Sequence, residues 1–259
     1  GLGHTGGTID KLESFPGFCV SLTTEQFQKQ VNDIGIALMS QTGQLAPADK
    51  KLYALRDVTA TVDQLSLIAS SIMSKKLAAG ADAIVLDVKT GSGAFMKTEK
   101  DAFLLAEEMV EIGRQAGQKT IAVVTDMDQP LGRAVGNALE VKEAIATLRG
   151  EGPGDFTNLC LTLGSAMLLA AGKAESLEEA KGRLKEVIAN GKALEKLAEL
   201  VEAQGGDRQA VYAPENLPGA AYQIPVLSPK EGYLAHMDCE EIGRVSMILG
   251  GGREKKEDE

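Results

Sequence analysis

The chain has 259 residues and a mass of 27.2 kDa, with 44% hydrophobic and 25% charged residues. This composition is typical of globular proteins and excludes a collagen-like, coiled-coil or wholly disordered chain. Acidic residues number 37 and basic residues 27, so the formal net charge is −10. Binding nucleic acid through a broad basic face is therefore not expected, because such binding neutralises phosphates with Lys and Arg. An anion would have to bind at a small, local cluster of cations.

Cysteine usage and hydropathy indicate the compartment. Cys19, Cys160 and Cys239 are far apart and show no C-x-x-C spacing, so they indicate reduced, mostly buried thiols. With only two histidines, a Cys/His zinc site is not expected. The first residues lack a basic region followed by an apolar core, and no apolar run approaches a membrane span in length. We expect a soluble, cytoplasmic protein that does not enter a membrane.

The sequence opens on the glycine- and threonine-rich motif GHTGGT, residues 3–8. Glycines allow backbone N–H groups to converge on an oxyanion, and Thr5 and Thr8 add hydroxyl donors near a predicted helix start. A plain tight turn is the alternative for this composition. Because the chain opens inside this motif and closes on the charge run 253–259, we expect both ends to be internal boundaries of a longer protein.

A helix is predicted over residues 62–79, because apolar residues recur there at helical spacing and Gly80 follows. Ser71 and Lys75 are four residues apart and therefore share a face, and Arg56 precedes the helix. An arginine, a serine and a lysine together suit a small planar ligand rich in carbonyl oxygens. The alternative is a solvated helix face with an Arg–Asp surface pair.

The clearest unit of the chain is a strand–helix–strand pattern. Residues 83–88 (AIVLDV) form a short apolar, β-branched run, which predicts a strand buried on both faces. A helix is predicted to begin after Thr98 and to end at Gly117, and residues 121–124 (IAVV) predict a second buried strand. This pattern predicts an α/β fold with a parallel sheet flanked by helices.

Two segments follow these strands, residues 89–95 and 125–131. Ligands gather at the carboxyl ends of parallel strands, so both segments are expected at the functional edge of the sheet. The first contains the loop Gly91–Ser92–Gly93 and then Phe95, which would give an apolar wall for a planar base. An ordinary core aromatic is the alternative for Phe95.

The C-terminal part of the chain changes character. Ser176 to Glu179 read as a capping box that opens an amphipathic helix, and Asn190–Gly191 separates it from a second helix. From Tyr222 onward, short extended pieces separated by prolines predict the start of a β-rich α+β domain.

We therefore expect two domains. Residues 1–213 would form an α/β domain that is incomplete at its N-terminus and includes the helices between residues 176 and 203. Residues 214–259 would form the start of an incomplete C-terminal domain.

The sequence resembles the pyrimidine-nucleoside phosphorylase family, which includes thymidine phosphorylase. The resemblance runs through the whole chain and is carried by residues 1–14 (GLGHTGGTIDKLES), 53–98 (YALRDVTATVDQLSLIASSIMSKKLAAGADAIVLDVKTGSGAFMKT) and 123–145 (VVTDMDQPLGRAVGNALEVKEAI). It implies a fold of the nucleoside phosphorylase and phosphoribosyltransferase type. It also implies reversible phosphorolysis of uridine, thymidine and deoxyuridine to the free base and a pentose 1-phosphate.

The resemblance also implies roles for individual residues. Family members hold the pyrimidine ring with an arginine, a serine and a lysine, which match Arg56, Ser71 and Lys75 as catalytic and substrate-binding residues. Further positions that line the base pocket in the family match Tyr53, Val62, Ile68 and Phe95.

Two ionic components are implied in the same way. Inorganic phosphate is the co-substrate, and the threonine that contacts it matches Thr8, with Thr5 beside it in the same motif. Some members bind a monovalent cation, usually potassium, through two backbone carbonyls and a carboxylate, which match Leu131, Ala134 and Glu143. Oxygen ligands are those that a hard cation prefers.

The sequence departs from the family at both ends. Family members carry a helical segment and a phosphate loop before the glycine motif, and they continue into a complete β-rich domain. Family homodimers pack mainly through the helical domain, so we expect a homodimer of the full-length protein. Two alternatives stay open: a phosphoribosyltransferase of the same fold, which would need acidic metal ligands, and an inactive fragment that keeps pyrimidine binding.

Overall fold

A computed structural model describes residues 7–40, 46–59, 61 and 64–252. The chain divides into two compact units. The first consists of Gly1–Ser40, Asp128–Thr157 and Val187–Glu259, and the second of Gln41–Met127 and Asn158–Glu186.

The helices and strands of the described residues follow one another in a largely helical chain. In chain order they are α1 (Thr8–Leu12), α2 (Thr24–Ile34), α3 (Pro47–Val58), α4 (Leu65–Ala78), β1 (Ala83–Thr90), α5 (Glu99–Gln115), β2 (Lys119–Asp126), α6 (Asn137–Leu148), α7 (Gly154–Ala170), α8 (Leu177–Ala189), α9 (Lys192–Ala203), α10 (Gln209–Tyr212), a 3₁₀ helix (Pro214–Asn216) and α11 (Cys239–Ile248). No helix within these ranges combines the length and the apolar character needed to cross a membrane.

The second unit contains the predicted parallel sheet. In the described residues it consists of β1 and β2, paired in parallel from Ala83 opposite Lys119 to Thr90 opposite Asp126. Alternate residues of β1 are buried in one core with apolar side chains of α4 and α5. The predicted α/β class, with a parallel sheet flanked by helices, is confirmed.

Local sequence signals set the helix ends in this unit. The Thr98 hydroxyl accepts a hydrogen bond from the N–H of Asp101 at 3.2 Å and caps α5. Gly117 follows α5 with φ 75°, a left-handed conformation that glycine adopts without strain. The helix predicted to start at residue 62 is described as α4 from Leu65, while residues 62 and 63 lie outside the described part of the chain.

The first unit has a core of its own. Phe15, Ile145, Val201 and Val211 are at most 1% exposed and belong to one apolar cluster. Gln204, at the end of α9, connects the N-terminal segment to this core. Its side-chain amide donates to the carbonyls of Cys19 and Leu38, both at 2.7 Å.

The described residues 214–252 contain no β-strand, although the sequence predicts β structure from Tyr222 onward. Tyr222, Ile224 and Val226 are each more than 80% exposed. A strand needs a neighbouring strand to pair its backbone N–H and C=O groups, and short extended pieces separated by prolines do not by themselves provide one. The domain boundary near residue 213 stays a prediction.

The prediction of mostly buried cysteines is wrong. Cys19 and Cys160 are exposed and only Cys239 is buried, while none of the three forms a disulfide. Cys239 is the buried first residue of α11. The spacing of apolar residues around Cys19 and Cys160 did not indicate that these two are exposed.

Gly113 is required where α5 packs against β2. A Cβ atom at this position would lie 2.0 Å from Thr120 Oγ1 and 2.8 Å from Thr120 Cβ. We predict that Gly113→Ala lowers the free energy of unfolding by about 1–3 kcal/mol, because overpacking outweighs the helix propensity of alanine.

Gly182→Ala in α8 is the matched control, since no described atom outside its chain neighbours and the adjoining helix backbone lies within 4 Å of its added Cβ. We expect this variant to gain about 0.5–1 kcal/mol from helix propensity. Urea unfolding of both variants measures the difference, and equal midpoints would contradict the described packing of α5 on β2.

Candidate functional site

Arg56 lies in the last turn of α3 and, as predicted, precedes the helix that carries Ser71 and Lys75. The residue is only 7% exposed, which rules out the surface-pair alternative. Its Nε donates to the carbonyl of Thr61 at 3.3 Å, and its Nη1 donates to the carbonyl of Leu67 in α4 at 3.1 Å. The guanidinium is therefore fixed against the first turn of α4.

Ser71 and Lys75 lie one turn apart in α4 and contact each other. Lys75 Nζ donates to Ser71 Oγ at 2.9 Å and to Asp49 Oδ2 at 2.7 Å. Ser71 is 6% exposed, and Asp49 lies in the first turn of α3. Asp49 of α3 thus joins Ser71 and Lys75 of α4 in one polar cluster, and the charge of Arg56, also in α3, acts on the same carboxylate.

The charges in this cluster are coupled. Burial acts to raise the pKa of Asp49, but hydrogen bonds from Lys75 and Ser71, with the positive charges of Lys75 and Arg56, hold it below its ordinary value. Asp49 is therefore a carboxylate at neutral pH, and the cluster combines two cations with one anion. Such donors stabilise a carbonyl oxygen on which negative charge develops.

Phe95 lies in the loop after β1 and is 56% exposed. The interpretation of Phe95 as a core aromatic is therefore wrong. The loop is held at the carboxyl edge of the sheet, because the N–H of Gly93 donates to the carbonyl of Met127 at 3.0 Å. Ile68 in α4 is partly buried and packs against the core of the second unit.

Three predicted positions lie outside what the structure describes: residues Thr5 and Val62, and the side chain of Tyr53. Thr8 is described as the exposed first residue of α1. Gly7 precedes it as the N-cap residue and has no side chain that could cap the helix. The exposed Thr8 hydroxyl thus lies at the N-terminus of a short helix.

The predicted cation ligands lie in one loop of the first unit and in α6, which contacts it. The N–H of Arg133 donates to both carboxylate oxygens of Glu143 in α6, at 2.9 and 3.2 Å. The N–H of Gly132 donates to Asp155 Oδ2 at 2.9 Å, and hydrogen bonds from Gly132 and Phe156 lower the pKa of Asp155. Two carboxylates therefore hold consecutive peptide groups of this loop.

Gly132 lets this loop approach Glu143 closely. Its φ is 73°, and a Cβ atom would lie 2.2 Å from Glu143 Oε2. Leu131 and Ala134 flank the two peptide groups that Asp155 and Glu143 hold, so their carbonyls belong to the same short loop. Among the described residues, no group of three or more His, Cys, Asp or Glu side chains is arranged to hold a metal ion. A cation here would need backbone oxygens beside the carboxylate.

Comparison with known proteins identifies the family of the chain. Residues 1–194 match the family described as "Glycosyl transferase family, a/b domain". The chain belongs to this family.

The chain is similar to several curated bacterial proteins named pyrimidine-nucleoside phosphorylase. It is 61% identical over 259 residues to the proteins of Bacillus subtilis (strain 168) and Staphylococcus haemolyticus (strain JCSC1435). It is 60% identical over 258 residues to that of Staphylococcus epidermidis (strain ATCC 35984). Each alignment covers 100% of this chain and 60% of the relative, so the chain spans about three fifths of their length. The resemblance identified from the sequence is confirmed.

Sequence analysis of the glycosyl transferase domain missed Asp49 and Asp155. Pro47 followed by Asp49 is a recognisable helix start, since proline suits the first helical position and an acid suits the first turn. Its contact with Lys75 spans 26 residues, and no spacing rule relates positions so far apart on two helices. Asp155 likewise indicates only the start of α7.

We predict that Gly132→Ala destabilises this glycosyl transferase domain more than Gly191→Ala does. Both glycines have positive φ, 73° and 78°, so each substitution incurs a left-handed strain of about 1–2 kcal/mol. Only Gly132→Ala also displaces the Glu143 carboxylate, because no described atom beyond its chain neighbours lies within 4 Å of a Cβ at Gly191. Urea unfolding of the two variants measures the difference, and equal losses would show that the loop does not rest on Glu143.

Proposed function

We propose that the protein carrying this chain catalyses the reversible phosphorolysis of pyrimidine nucleosides such as uridine, thymidine and deoxyuridine. The observation that carries this proposal is the placement of buried Arg56 and Ser71 and partly buried Lys75 on α3 and α4, which the Arg56–Leu67 bond connects. Its support from comparison is the 61% identity, over all 259 residues, to a protein named pyrimidine-nucleoside phosphorylase.

In the proposed reaction, an oxygen of inorganic phosphate attacks C1′ of the pentose from the face opposite the base. The bond from C1′ to N1 of the base breaks, and its electron pair leaves with the pyrimidine. The products are a pentose 1-phosphate and the free base. Arg56 and Lys75 stabilise the negative charge on the leaving base, and Ser71 orients the ring by hydrogen bonding. Holding phosphate and nucleoside in line supplies a further part of the rate enhancement.

Other residues complete this proposal. Tyr53, Val62, Ile68 and Phe95 would line the base, and the exposure of Phe95 leaves its ring available for such a contact. Thr8 and Thr5 would contact phosphate, the co-substrate that the name of the relatives indicates.

Two properties of the whole protein belong to the same proposal. We expect a homodimer of the full-length protein and a cytoplasmic location. The names of the relatives do not favour the alternative of a phosphoribosyltransferase.

Formation of free uracil from uridine and of free thymine from thymidine, with and without phosphate, tests the proposed function. We expect phosphate-dependent release of both bases by the protein at the length of its curated relatives. Release that requires phosphoribosyl diphosphate and magnesium would instead identify a phosphoribosyltransferase. Uracil binding without any release would identify an inactive form that keeps the base site.

We predict that Lys75→Ala lowers kcat/KM for uridine by roughly 2–4 kcal/mol of transition-state stabilisation, as expected for the loss of an oxyanion donor. Lys76→Ala is the matched control, because Lys76 is the next residue of α4 and is exposed. Steady-state kinetics of both variants measure the effect. A Lys75→Ala rate within a factor of three of the parent would contradict the role of Lys75.

We also propose that a potassium ion binds between the Glu143 carboxylate and the backbone carbonyls of Leu131 and Ala134. The loop that contains these carbonyls lies against Glu143 and has glycine where a Cβ would meet the carboxylate. When bound, the cation would supply positive charge that holds the loop to α6.

The predicted consequence is a melting temperature that rises with potassium concentration, since a ligand that binds only the folded state stabilises it. Glu143→Gln should abolish the potassium-dependent part of this rise, because it removes the charged ligand. Glu215→Gln, at an exposed position in the 3₁₀ helix, should keep it. Thermal unfolding in potassium chloride against tetramethylammonium chloride makes the comparison, and equal curves for the parent would overturn the cation proposal.

A further inference from the structure

We propose that Asp49 is a positioning residue of the base site, whose carboxylate directs the Lys75 ammonium toward a carbonyl oxygen of the pyrimidine. The inference rests on the proposed function, because it concerns the role given there to Lys75. Asp49 belongs to α3 and Lys75 to α4, and their side chains form an ion pair of 2.7 Å between Oδ2 and Nζ.

The geometry of the ammonium group carries the argument. An ammonium has three N–H donors in a tetrahedral arrangement. In the part of the chain that the structure describes, Asp49 Oδ2 and Ser71 Oγ accept from Nζ at 2.7 and 2.9 Å. Two fixed donors define the direction of the third, which would meet the ligand. Without Asp49, rotation about the end of the flexible lysine stem would change that direction.

The position of Asp49 is itself fixed by the fold. It lies in the first turn of α3, and Arg56 lies in the last turn of the same helix. The Asp49 side chain is 13% exposed and that of Lys75 is 28% exposed, so salt screens this pair less than it would a surface pair. One helix thus places both the arginine of the base site and the carboxylate that orients its lysine.

Charge explains why a carboxylate suits this position. Arg56 and Lys75 bring two positive charges into a largely buried cluster, and like charges repel strongly where water is scarce. The Asp49 carboxylate is attracted to both cations, as the lowering of its pKa by their charges indicates. It therefore offsets a repulsion that would otherwise move Lys75 away from Arg56.

Kinetics with two nucleosides test the proposal in the protein at the length of its curated relatives. We expect Asp49→Asn, which keeps shape and one acceptor oxygen, to lower kcat/KM for uridine by about 10-fold, and Asp49→Ala by up to about 100-fold. The loss should be smaller for 5-fluorouridine. Fluorine withdraws electrons, so the pyrimidine anion is a weaker base and a better leaving group, and its departure depends less on stabilisation by Lys75. Equal losses for the two nucleosides, or rates within two-fold of the parent, would overturn the proposal.

A double-mutant cycle separates positioning from structure. If Asp49 acts through Lys75, Asp49→Ala in a Lys75→Ala background should change kcat/KM by less than about two-fold, whereas full additivity would overturn the proposal. Asp33→Asn is the matched control, since Asp33 forms an exposed ion pair with Lys29 in α2 and should leave both nucleosides unaffected. Should Asp49→Ala fail to fold, the isosteric Asp49→Asn decides the question.

The parent protein distinguishes this proposal from the proposed function. Base release by the parent without a loss in the Asp49 variants would overturn only the positioning role. No release by the parent from either nucleoside would contradict the proposed function. Calorimetry with uracil would then test the positioning role of Asp49 by itself. Positioning predicts weaker uracil binding after Asp49→Ala in the parent but not in the Lys75→Ala background, and unchanged affinity in both would overturn it.

Discussion

The hydrogen bonds of the Lys75 ammonium hold together the residues of the candidate base site. They connect Ser71 on the same helix with Asp49 on α3, so a single charged group joins two elements of the second unit. Arg56 makes a second connection between α3 and α4 through the carbonyl of Leu67. Because breaking either connection removes a hydrogen bond from a buried or partly buried charge, the arrangement of the two helices and the donor set of the site depend on each other.

The sequence predicted those parts of the fold that local patterns control. The apolar run of β1, the Thr98 cap of α5 and the glycine after α5 each depend on neighbouring residues, and each lies where the pattern placed it. The segment after Tyr222 differs, because an extended apolar pattern becomes a strand only when another strand pairs with it. Its apolar side chains are exposed in the structure, and the described residues 214–252 contain no strand.

The candidate site could be predicted in part, for the same physical reason. Helical spacing placed Ser71 and Lys75 on one face, and the structure brings their side chains to 2.9 Å. The burial of Arg56 and the carboxylate of Asp49 depend on how α3 packs against α4, which no local pattern encodes. The loop at Gly132 is similar: its contacts with Glu143 and Asp155 come from residues 10 and 23 positions away. Resemblance to a known family supplied Glu143, whereas spacing indicated only a carboxylate on a helix surface.

A crystal structure of this chain with bound uracil tests the central claim most directly, because the claim concerns where a pyrimidine ring binds. The account predicts a ring with its two carbonyl oxygens within about 3.2 Å of nitrogen atoms of Arg56 and Lys75. It also predicts that Lys75 keeps its contact with Asp49 while it donates to the ring. Uracil bound at another position, or in this cluster without contact to either cation, would contradict the account.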